Sequence, residues 1–268
     1  MEKKERLDTL LMEEGYFDSR EKAKRAIMAG LVYVDNQRID KAGTPIKRTS
    51  TILIKDTGCP YVSRGGLKLE KSLQHFNIDV SGRVVLDIGA STGGFTDCML
   101  QKGALKSYAI DVGYGQLDYK LRVDPRVVVM EKTNIRYVDQ SQFADEIGFI
   151  TIDVSFISLK LVLPVAYEVL KDKGELVCLV KPQFEAGRQQ VGKNGIIKDK
   201  KIHIEVLNSI IDFAKDLGFS VKGLTHSPIK GTKGNIEYLL YCAKESDSAE
   251  EVEVDIEACV HVAHHNLN

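Results

Sequence analysis

Short apolar runs recur along most of the chain from residue 84 onward, and amphipathic stretches separate them. Most of the runs are continuously apolar rather than alternating, which is typical of strands covered on both faces in a parallel sheet. The intervening stretches have the spacing of helices that pack on such a sheet. The pattern predicts an α/β fold with a doubly wound sheet, whose strands are RVVLDIG, SYAIDVG, RVVVM, FITIDVS, ELVCLVKP, FSVKGL and IEYLLYCA.

The last part of this pattern predicts a change of strand direction. The segment THSPIKGTKGN joins the final two runs and is too short for a crossover helix, so these strands should pair antiparallel. The stretch SLKLVLPVAYEVL is expected to be a covering helix with a kink at Pro164. The tail beyond Lys244 is compatible with either a terminal helix or a frayed end.

The first 60 residues have a different pattern. Two short helical segments, LDTLLMEEG and DSREKAKRAIMAG, precede two short strands, LVYV and TILIKD, with Pro45 between them. Asp18 and Glu21 have the spacing of a capping box at the start of the second helix, and Gly30 marks its end. We therefore expect a small α+β module at 1–60, a linker and leading helix at 61–82, an α/β domain at 83–244 and a tail at 245–268.

Composition and charge exclude some classes of protein. The 268 residues contain 37 Lys and Arg against 38 Asp and Glu, a balance that excludes a uniformly basic polynucleotide binder but allows a local basic patch. No apolar run is long enough for a membrane span, and the charged N-terminus does not resemble a secretory signal. Five scattered cysteines favour reduced thiols over disulfides or zinc ligands. We expect a cytoplasmic protein without a metal ion.

A glycine-rich loop, DIGASTGG, follows the first strand of the α/β part. In open α/β sheets the ligand lies beyond the carboxyl ends of the strands, where the amides of such a loop approach it. Asp111 ends the next strand, where a carboxylate can bind both ribose hydroxyls of an adenosine. This geometry suits NAD and S-adenosylmethionine alike. Two features favour S-adenosylmethionine: GASTGG lacks the GxGxxG pattern of a dinucleotide loop, and an antiparallel final strand pair is typical of methyltransferases. The expected contacts of S-adenosylmethionine are Ser63, Gly89, Ala90, Ser91, Gly93, Gly94, Phe95, Asp111 and Asn134.

Four ionisable residues are expected near the same edge of the sheet. Asp153 and Lys181 end two later strands, Glu237 opens the last one, and Lys68 lies just before the sheet. Each alone has an ordinary explanation, such as an exposed helix position, a surface ion pair or a helix cap. Their convergence from separate segments favours a catalytic site.

The motifs of the chain resemble those of two known families. REKAKRAIMAGLVYVDNQ resembles the RNA-binding module of the ribosomal protein S4 type, which implies that Arg6, Arg20 and Lys24 contact RNA phosphates. A second set of motifs resembles the TlyA family of ribosomal RNA ribose 2′-O-methyltransferases, which is related to the FtsJ-type enzymes and is often labelled haemolysins. These motifs are YVSRGGLKL, DIGASTGGFTD, DVGYGQL, DPRVVV, EKTNIR, DVSFISL, LVKPQFEAGR and GNIEYLL. Tyr61 stands where the linker of that family usually carries tryptophan.

The second resemblance implies a reaction, a cofactor and a partner. It implies methyl transfer from S-adenosylmethionine to cytidine in 16S and/or 23S rRNA of ribosomal subunits, by a tetrad that carries over to Lys68, Asp153, Lys181 and Glu237. The target nucleotide would have to be turned out of its stack. A ribose hydroxyl is a poor nucleophile, so Lys181 either removes its proton or, while charged, lowers its pKa; the sequence leaves both roles open. Basic residues bordering the pocket either grip the RNA strand or are ordinary solvated positions: Arg64, Lys132, Arg136 and Arg188.

Two other functions are compatible with the sequence. One is a non-catalytic RNA-binding factor of ribosome assembly that keeps the methyltransferase fold. The other is a membrane-active haemolysin, which is disfavoured because no membrane span is visible and no strongly amphipathic basic helix is found beyond Arg20 to Arg25.

Overall fold

The computed structural model describes residues 4–17, 19–54, 59–245 and 252–267. The chain divides into two compact units, Met1–Cys59 and Pro60–Asn268, which are considered separately below.

The first unit is a small α+β module. Its elements are β1 (Lys4–Arg6), α1 (Leu7–Glu13), α2 (Arg20–Met28), β2 (Val32–Val34), β3 (Gln37–Ile39), β4 (Pro45–Lys47) and β5 (Ile52–Ile54). β2 pairs antiparallel with β3 and β5, and β1 forms a second antiparallel pair with β4. Leu7, Leu11, Ala23, Ile27 and Val32 are fully buried between the helices and the strands. These apolar positions explain why two short helices are stable here, since packing supplies most helical stability in proteins.

Three local features of this unit differ from expectation or refine it. Pro45 lies between LVYV and TILIKD as expected, but it opens a further strand, β4, opposite Arg6, a position that proline tolerates because it begins a strand. Ser19 is the N-cap of α2 and its hydroxyl accepts a hydrogen bond from Lys22 N at 3.3 Å, whereas Asp18, the expected cap, lies outside the described residues. Asp35 and Asn36 both have positive φ (49° and 64°), as a two-residue β2–β3 hairpin requires.

The second unit contains a seven-stranded sheet with helices around it. Its elements are α3 (Gly65–His75), β6 (Val84–Ile88), α4 (Gly94–Gln101), β7 (Lys106–Ile110), α5 (Tyr119–Arg122), β8 (Val127–Met130), β9 (Ile147–Ile152), α6 (Leu163–Val169), β10 (Leu170–Val180), α7 (Pro182–Glu185), α8 (Lys200–Asp216), β11 (Ser220–His226), β12 (Tyr238–Ala243) and α9 (Ile256–Leu267). The strand order is β11-β12-β10-β9-β6-β7-β8. β12 is antiparallel to both neighbours, whereas the pairs from β10 to β8 are parallel. The predicted doubly wound methyltransferase sheet with a reversed last strand is confirmed.

The continuous apolar runs form the centre of this sheet. Every residue of β9 is buried, and so are four of the five residues of β6, because helices cover both faces. Leu86, Ile150 and Val180 belong to one large core cluster. Burial of each such side chain contributes about 1.5–3 kcal/mol, so the sheet is a rigid support for the loops at its edge.

Two of the covering helices, α6 and α9, bear on the sequence predictions. The stretch predicted as one kinked helix is divided just before Pro164: a 3-10 turn spans Leu159–Leu161 and α6 begins at Leu163. Pro164 lies in the first turn of α6, where its missing N–H breaks no hydrogen bond. The tail forms the terminal helix α9, and its Val260 and Ala263 are fully buried. The frayed-end alternative therefore does not hold for residues 256–267.

Candidate active site

A cavity of about 670 Å³ lies at the carboxyl edge of the parallel strands. The sheet continues from β6 to β7 and β8 on one side, and to β9 and β10 on the other. Ligands of open α/β sheets bind at this reversal of strand order, and the volume is typical of a cofactor site. The cavity is lined by loop segments after β6, β9 and β10, by the start of α3 and by the segment before β12.

The loop after β6 forms one wall and depends on glycine. Gly89 has φ 85°, and a Cβ there would lie 2.6 Å from the carbonyl oxygen of Asp153. A Cβ on Gly94 would clash with Ser63 Oγ. Larger residues would therefore push the loop away from Asp153 and Ser63, which line the same cavity.

The expected cofactor residues fall into two groups. Ser63, Gly89, Ala90, Ser91, Gly94 and Phe95 line the cavity, whereas Gly93, Asp111 and Asn134 do not. Asp111 nevertheless lies beside the glycine loop, since its carboxylate accepts hydrogen bonds from Ser91 N at 2.8 Å and Gly113 N at 2.7 Å. Asn134 accepts a hydrogen bond from Arg136 N at 3.1 Å in the segment after β8. A carboxylate has about four acceptor positions, so Asp111 can still accept hydroxyl groups.

Asp87 is a cavity residue that the sequence reasoning missed. It is completely buried in β6 and accepts hydrogen bonds from Thr96 N at 2.9 Å, Thr96 Oγ1 at 2.7 Å and Thr151 Oγ1 at 3.0 Å. Burial raises the pKa of this carboxyl to about 6. Its position in LDIG, directly before the glycine loop, was the available signal. The carboxylates of Asp87 and Asp111 suit S-adenosylmethionine, which is a cation with ribose hydroxyls, so the residues present fit this cofactor.

The four residues predicted as a tetrad form two ion pairs, and all four line the cavity. Lys181 Nζ lies 2.6 Å from Asp153 Oδ1 and donates a hydrogen bond to Ser155 Oγ at 3.0 Å. Lys68 Nζ donates to Glu237 Oε2 at 2.6 Å. The lysine side chains are only 8% and 11% exposed, so an exposed helix position does not explain Lys68.

The backbone explains why these side chains meet. Asp153 N donates to Ile88 O at 2.9 Å and extends the pairing of β9 with β6 by one residue. Glu237 O accepts from Ser227 N at 2.8 Å and similarly extends the pairing of β12 with β11. Gly231 leaves room for the Glu237 carboxylate, because a Cβ at that position would clash with Oε1. Both carboxylates are therefore held by the rigid sheet.

Aromatic and basic residues at the cavity were also missed by the sequence reasoning. The side chain of Phe156 is 91% exposed, and its ring centroid lies 5.0 Å from that of Phe184. Lys230 and Lys233 line the cavity from the segment before β12. The available signals were the aromatic residues inside DVSFISL and LVKPQFEAGR and the lysines in THSPIKGTKGN.

The basic residues predicted near the pocket do not all lie at the cavity. Arg64 is exposed and lines it. Lys132 Nζ lies 4.5 Å from the ring centroid of Tyr114, and the Arg136 guanidinium lies 5.5 Å from that of Tyr137, but neither basic residue lines the cavity. The side chain of Arg188 lies outside the described part of the structure.

In the first unit, two of the predicted phosphate-binding residues share a carboxylate. The guanidinium groups of Arg6 and Arg20 each lie 2.9 Å from Asp8 Oδ2, and their side chains remain about half exposed. The hydrogen bond from Arg6, with a further one from Arg20, lowers the pKa of Asp8 to about 2. Lys24 is exposed on α2.

The linker residue Tyr61 packs within the second unit. It is 7% exposed and donates a hydrogen bond from its hydroxyl to Glu70 Oε1 at 2.8 Å. The neighbouring Val62 N donates to Asp97 Oδ2 at 2.8 Å in α4, whose first turn carries Gly94. The tyrosine in place of tryptophan is therefore an integral part of this fold.

The residues that the structure describes contain no group of three or more His, Cys, Asp or Glu side chains arranged to hold a metal ion. No helix among them combines the length and apolar character needed to cross a membrane.

Comparison with known proteins identifies the family of each part. Residues 61–244 match the FtsJ-like methyltransferase family, and residues 5–52 match the S4 domain. A Bacillus subtilis protein with the name "Putative rRNA methyltransferase YqxC" is 52% identical over 99% of this chain and 96% of its own length. The "16S/23S rRNA (cytidine-2'-O)-methyltransferase TlyA" of Mycobacterium tuberculosis is 40% identical over 93% of both chains.

A solved structure agrees with these matches. The structure titled "Putative hemolysin from Streptococcus thermophilus" is 49% identical, covers 99% of this chain and 98% of its own, and has a TM-score of 0.80. The chain belongs to the TlyA/hemolysin A family of rRNA 2′-O-methyltransferases, which combine an S4 domain with an FtsJ-like, S-adenosylmethionine-dependent methyltransferase domain.

Proposed function

We propose that this protein methylates the ribose 2′ oxygen of a cytidine in 16S and/or 23S rRNA, and that it acts on ribosomal subunits in the cytoplasm. The observation that carries the proposal is the cavity at the glycine loop, which the Lys181–Asp153 and Lys68–Glu237 pairs both line. The name of the Mycobacterium tuberculosis relative supports cytidine and both rRNA species as candidates.

The cofactor would lie against the glycine loop. Because Gly89 and Gly94 have no side chains, the backbone of the loop can approach the cofactor closely. Asp87 offers a buried carboxylate to the positive charge of the cofactor, and Asp111 offers acceptors to its ribose. When bound, S-adenosylmethionine supplies a methyl group activated by the sulfonium charge. The protein therefore has to position the ribose oxygen and manage its proton.

Lys181 is the residue that we assign to the ribose hydroxyl. A charged lysine has three donors; one is donated to Ser155 Oγ, and the ion pair with Asp153 restrains the ammonium group further. Another donor can be given to the substrate oxygen, where it stabilises the negative charge that develops as the hydroxyl proton leaves to water and the oxygen accepts the methyl group. Asp153 and Ser155 then hold the ammonium group in a fixed direction, which reduces the cost of organising the site.

Lys68 and Glu237 form the second part of the proposed tetrad. Glu237 restrains the Lys68 ammonium through one hydrogen bond, so two further donors can bind the RNA backbone beside the reacting ribose. Because both side chains are buried, water competes little for these contacts. We assign this pair to positioning the substrate.

The RNA would be held by contacts of two kinds. A ribose in a folded RNA is not accessible to a cavity, so the nucleotide has to leave its stack. The exposed Phe156 ring can stack on the displaced base, a contact worth about 1–3 kcal/mol. Arg64, Lys230 and Lys233 lie where they can bind adjacent phosphates, and Arg6, Arg20 and Lys24 of the S4 domain supply a second set of basic contacts.

The decisive experiment is transfer of labelled methyl from S-adenosylmethionine to separated, unmodified ribosomal subunits, followed by mapping of the labelled nucleotide. We expect label on a ribose oxygen of cytidine, with loss of at least about 100-fold in rate for Lys181→Ala. Lys201→Ala is the matched control, since Lys201 is exposed on α8, and it should retain full activity. Label on a base, or undiminished transfer by Lys181→Ala, would contradict the proposal.

A further inference from the structure

A half-buried carboxylate outside the tetrad, that of Glu185, connects two loops of the active site. Glu185, on the short helix α7, accepts hydrogen bonds from Ser158 Oγ at 2.6 Å and from Leu159 N at 2.9 Å. Both donors follow β9, whereas Glu185 follows β10. The Glu185 side chain is half-buried, and burial raises the pKa of its carboxyl group. A carboxylate with both oxygens bound to one neighbouring segment fixes the distance between two loops.

The segment that Glu185 holds contains the partners of Lys181. Asp153 and Ser155 lie at its beginning, and Asp153 N is anchored to β6 through Ile88 O at 2.9 Å. Phe156, in its middle, has φ 63°, a left-handed conformation that costs about 1–3 kcal/mol in a residue other than glycine. Such a conformation persists only where the surrounding structure holds it. The segment therefore needs a restraint beyond Phe156 as well as before it.

The segment after β10 meets this loop at three successive points. Lys181 contacts Asp153 and Ser155, Phe184 packs against Phe156, and Glu185 binds Ser158 and Leu159. The aromatic contact is a weak restraint because Phe156 is 91% exposed. The two hydrogen bonds of Glu185 are partly buried and hold both a side chain and a backbone N–H of the segment, so they restrain its far end more firmly.

We propose that Glu185 is a positioning residue, which fixes the 153–159 loop so that Asp153 and Ser155 hold Lys181 Nζ in its reactive place. The inference rests on the proposed function. Glu185 acts through its reach rather than its charge. Glutamine keeps the length and offers one acceptor to Leu159 N–H and an amide to Ser158 Oγ, whereas aspartate keeps the charge but is one methylene too short.

The test compares Glu185→Gln with Glu185→Asp, and uses Glu168→Gln, an exposed position on α6, as the control. We expect Glu185→Asp to lower kcat about 10–100-fold, because small misplacements of reacting groups have effects of this size. Its KM for RNA and its Kd for S-adenosylmethionine should stay within about 2-fold of the parent, and Glu185→Gln should retain kcat within about 3-fold. Activity in the aspartate variant and loss in the glutamine variant would show a charge-dependent role and overturn the proposal.

A second variant and a second readout keep the test independent of folding and of the reaction. Ser158→Ala removes one partner; it should lower kcat in the parent background and have little further effect in Glu185→Asp. Amide hydrogen exchange at 153–159 should accelerate in Glu185→Asp but not in Glu185→Gln. If the parent protein methylates ribose and every variant matches its kcat, the positioning role is contradicted but the proposed function is not. If the parent protein methylates no ribose, the proposed function is contradicted, and with it the positioning role of Glu185, whatever the hydrogen-exchange rates show.

Discussion

At the scale of single residues, Asp87 links the cavity to pH. Its folded-state pKa of about 6 lies above that of an ordinary carboxyl, so between about pH 4 and 6 the folded protein retains a proton that the unfolded chain has lost. The stability contributed by this group is therefore present below about pH 4 and is lost as the pH rises through about 6. Burial explains this direction, and the nearby Asp153 carboxylate adds to it, whereas the hydrogen bonds from Thr96 and Thr151 oppose it only in part.

We predict that a cationic cofactor favours the ionised form of Asp87, whereas burial alone favours the protonated form. Because S-adenosylmethionine should bind the ionised carboxylate better, its affinity should rise with pH by up to about 10-fold per pH unit below about pH 6 and level off above it. Calorimetric titration between about pH 5 and 7.5, a range that brackets the pKa of Asp87, measures this slope. Asp87→Asn should bind more weakly and lose most of the slope. An equal slope in both proteins would exclude Asp87 as its origin.

At the scale of elements, two buried histidines join the terminal helix to the sheet. His264 Nε2 of α9 lies 3.2 Å from His203 Nδ1 of α8, which in turn lies 2.7 Å from the hydroxyl of Tyr238 at the start of β12. Burial lowers the pKa of His203 to about 4 and also lowers that of His264. Both rings are therefore held in the neutral form, directly beside the strand that follows Glu237.

We predict that this contact makes the attachment of α9 sensitive to acid. Since the unfolded chain binds these protons at about pH 6.5, stability is full above that value and falls as the pH decreases toward about 4. Denaturant unfolding between about pH 4.5 and 7 should show a flatter pH dependence in His264→Gln than in the parent. His265→Gln, an exposed position on the same helix, should match the parent. The contribution of Asp87 to stability changes with pH in the opposite direction over the same pH range. The effect of the histidines is therefore isolated only by comparing His264→Gln with the parent protein.

The elements also show what the sequence can and cannot predict. The seven strands of the large sheet were predictable because each is an apolar run with helical stretches around it. β1, β3 and β4 were not, since each has three mostly exposed residues, and β1 and β4 are defined only by backbone pairing with each other across a long stretch of chain. Asp87 and Glu185 were missed for a related reason. Their partners, such as Thr151 and Ser158, lie 64 and 27 residues away, and a single sequence does not show which polar groups will satisfy a buried carboxylate.

At the scale of the whole molecule, the two units carry chemically different groups. The second unit holds the buried ion pairs, whereas Arg6 and Arg20 of the first unit are half-exposed cations arranged around Asp8. Buried pairs in a cavity suit a reaction, and exposed cations suit phosphate contacts that depend on salt. The boundaries 1–60, 61–82, 83–244 and 245–268 stay a prediction, but this contrast indicates that RNA affinity and chemistry can be separated by mutation.

We predict that Arg20→Gln and Lys181→Ala damage different steps. Removal of one phosphate contact should weaken RNA binding about 3–10-fold and reduce the slope of log K against log salt by about 0.7–0.9, while kcat at saturating RNA is retained. Lys181→Ala should leave RNA affinity within about 2-fold and remove methyl transfer. Lys41→Gln, exposed in the same unit as Arg20, is the control for general loss of charge.

Filter binding over a salt series measures RNA affinity and its salt slope, and single-turnover methylation of the same RNA measures the rate of methyl transfer. A loss of kcat in Arg20→Gln, or an unchanged salt slope, would contradict the assignment of Arg20 to phosphate binding, because a residue that only anchors RNA contributes equally to the ground and transition states.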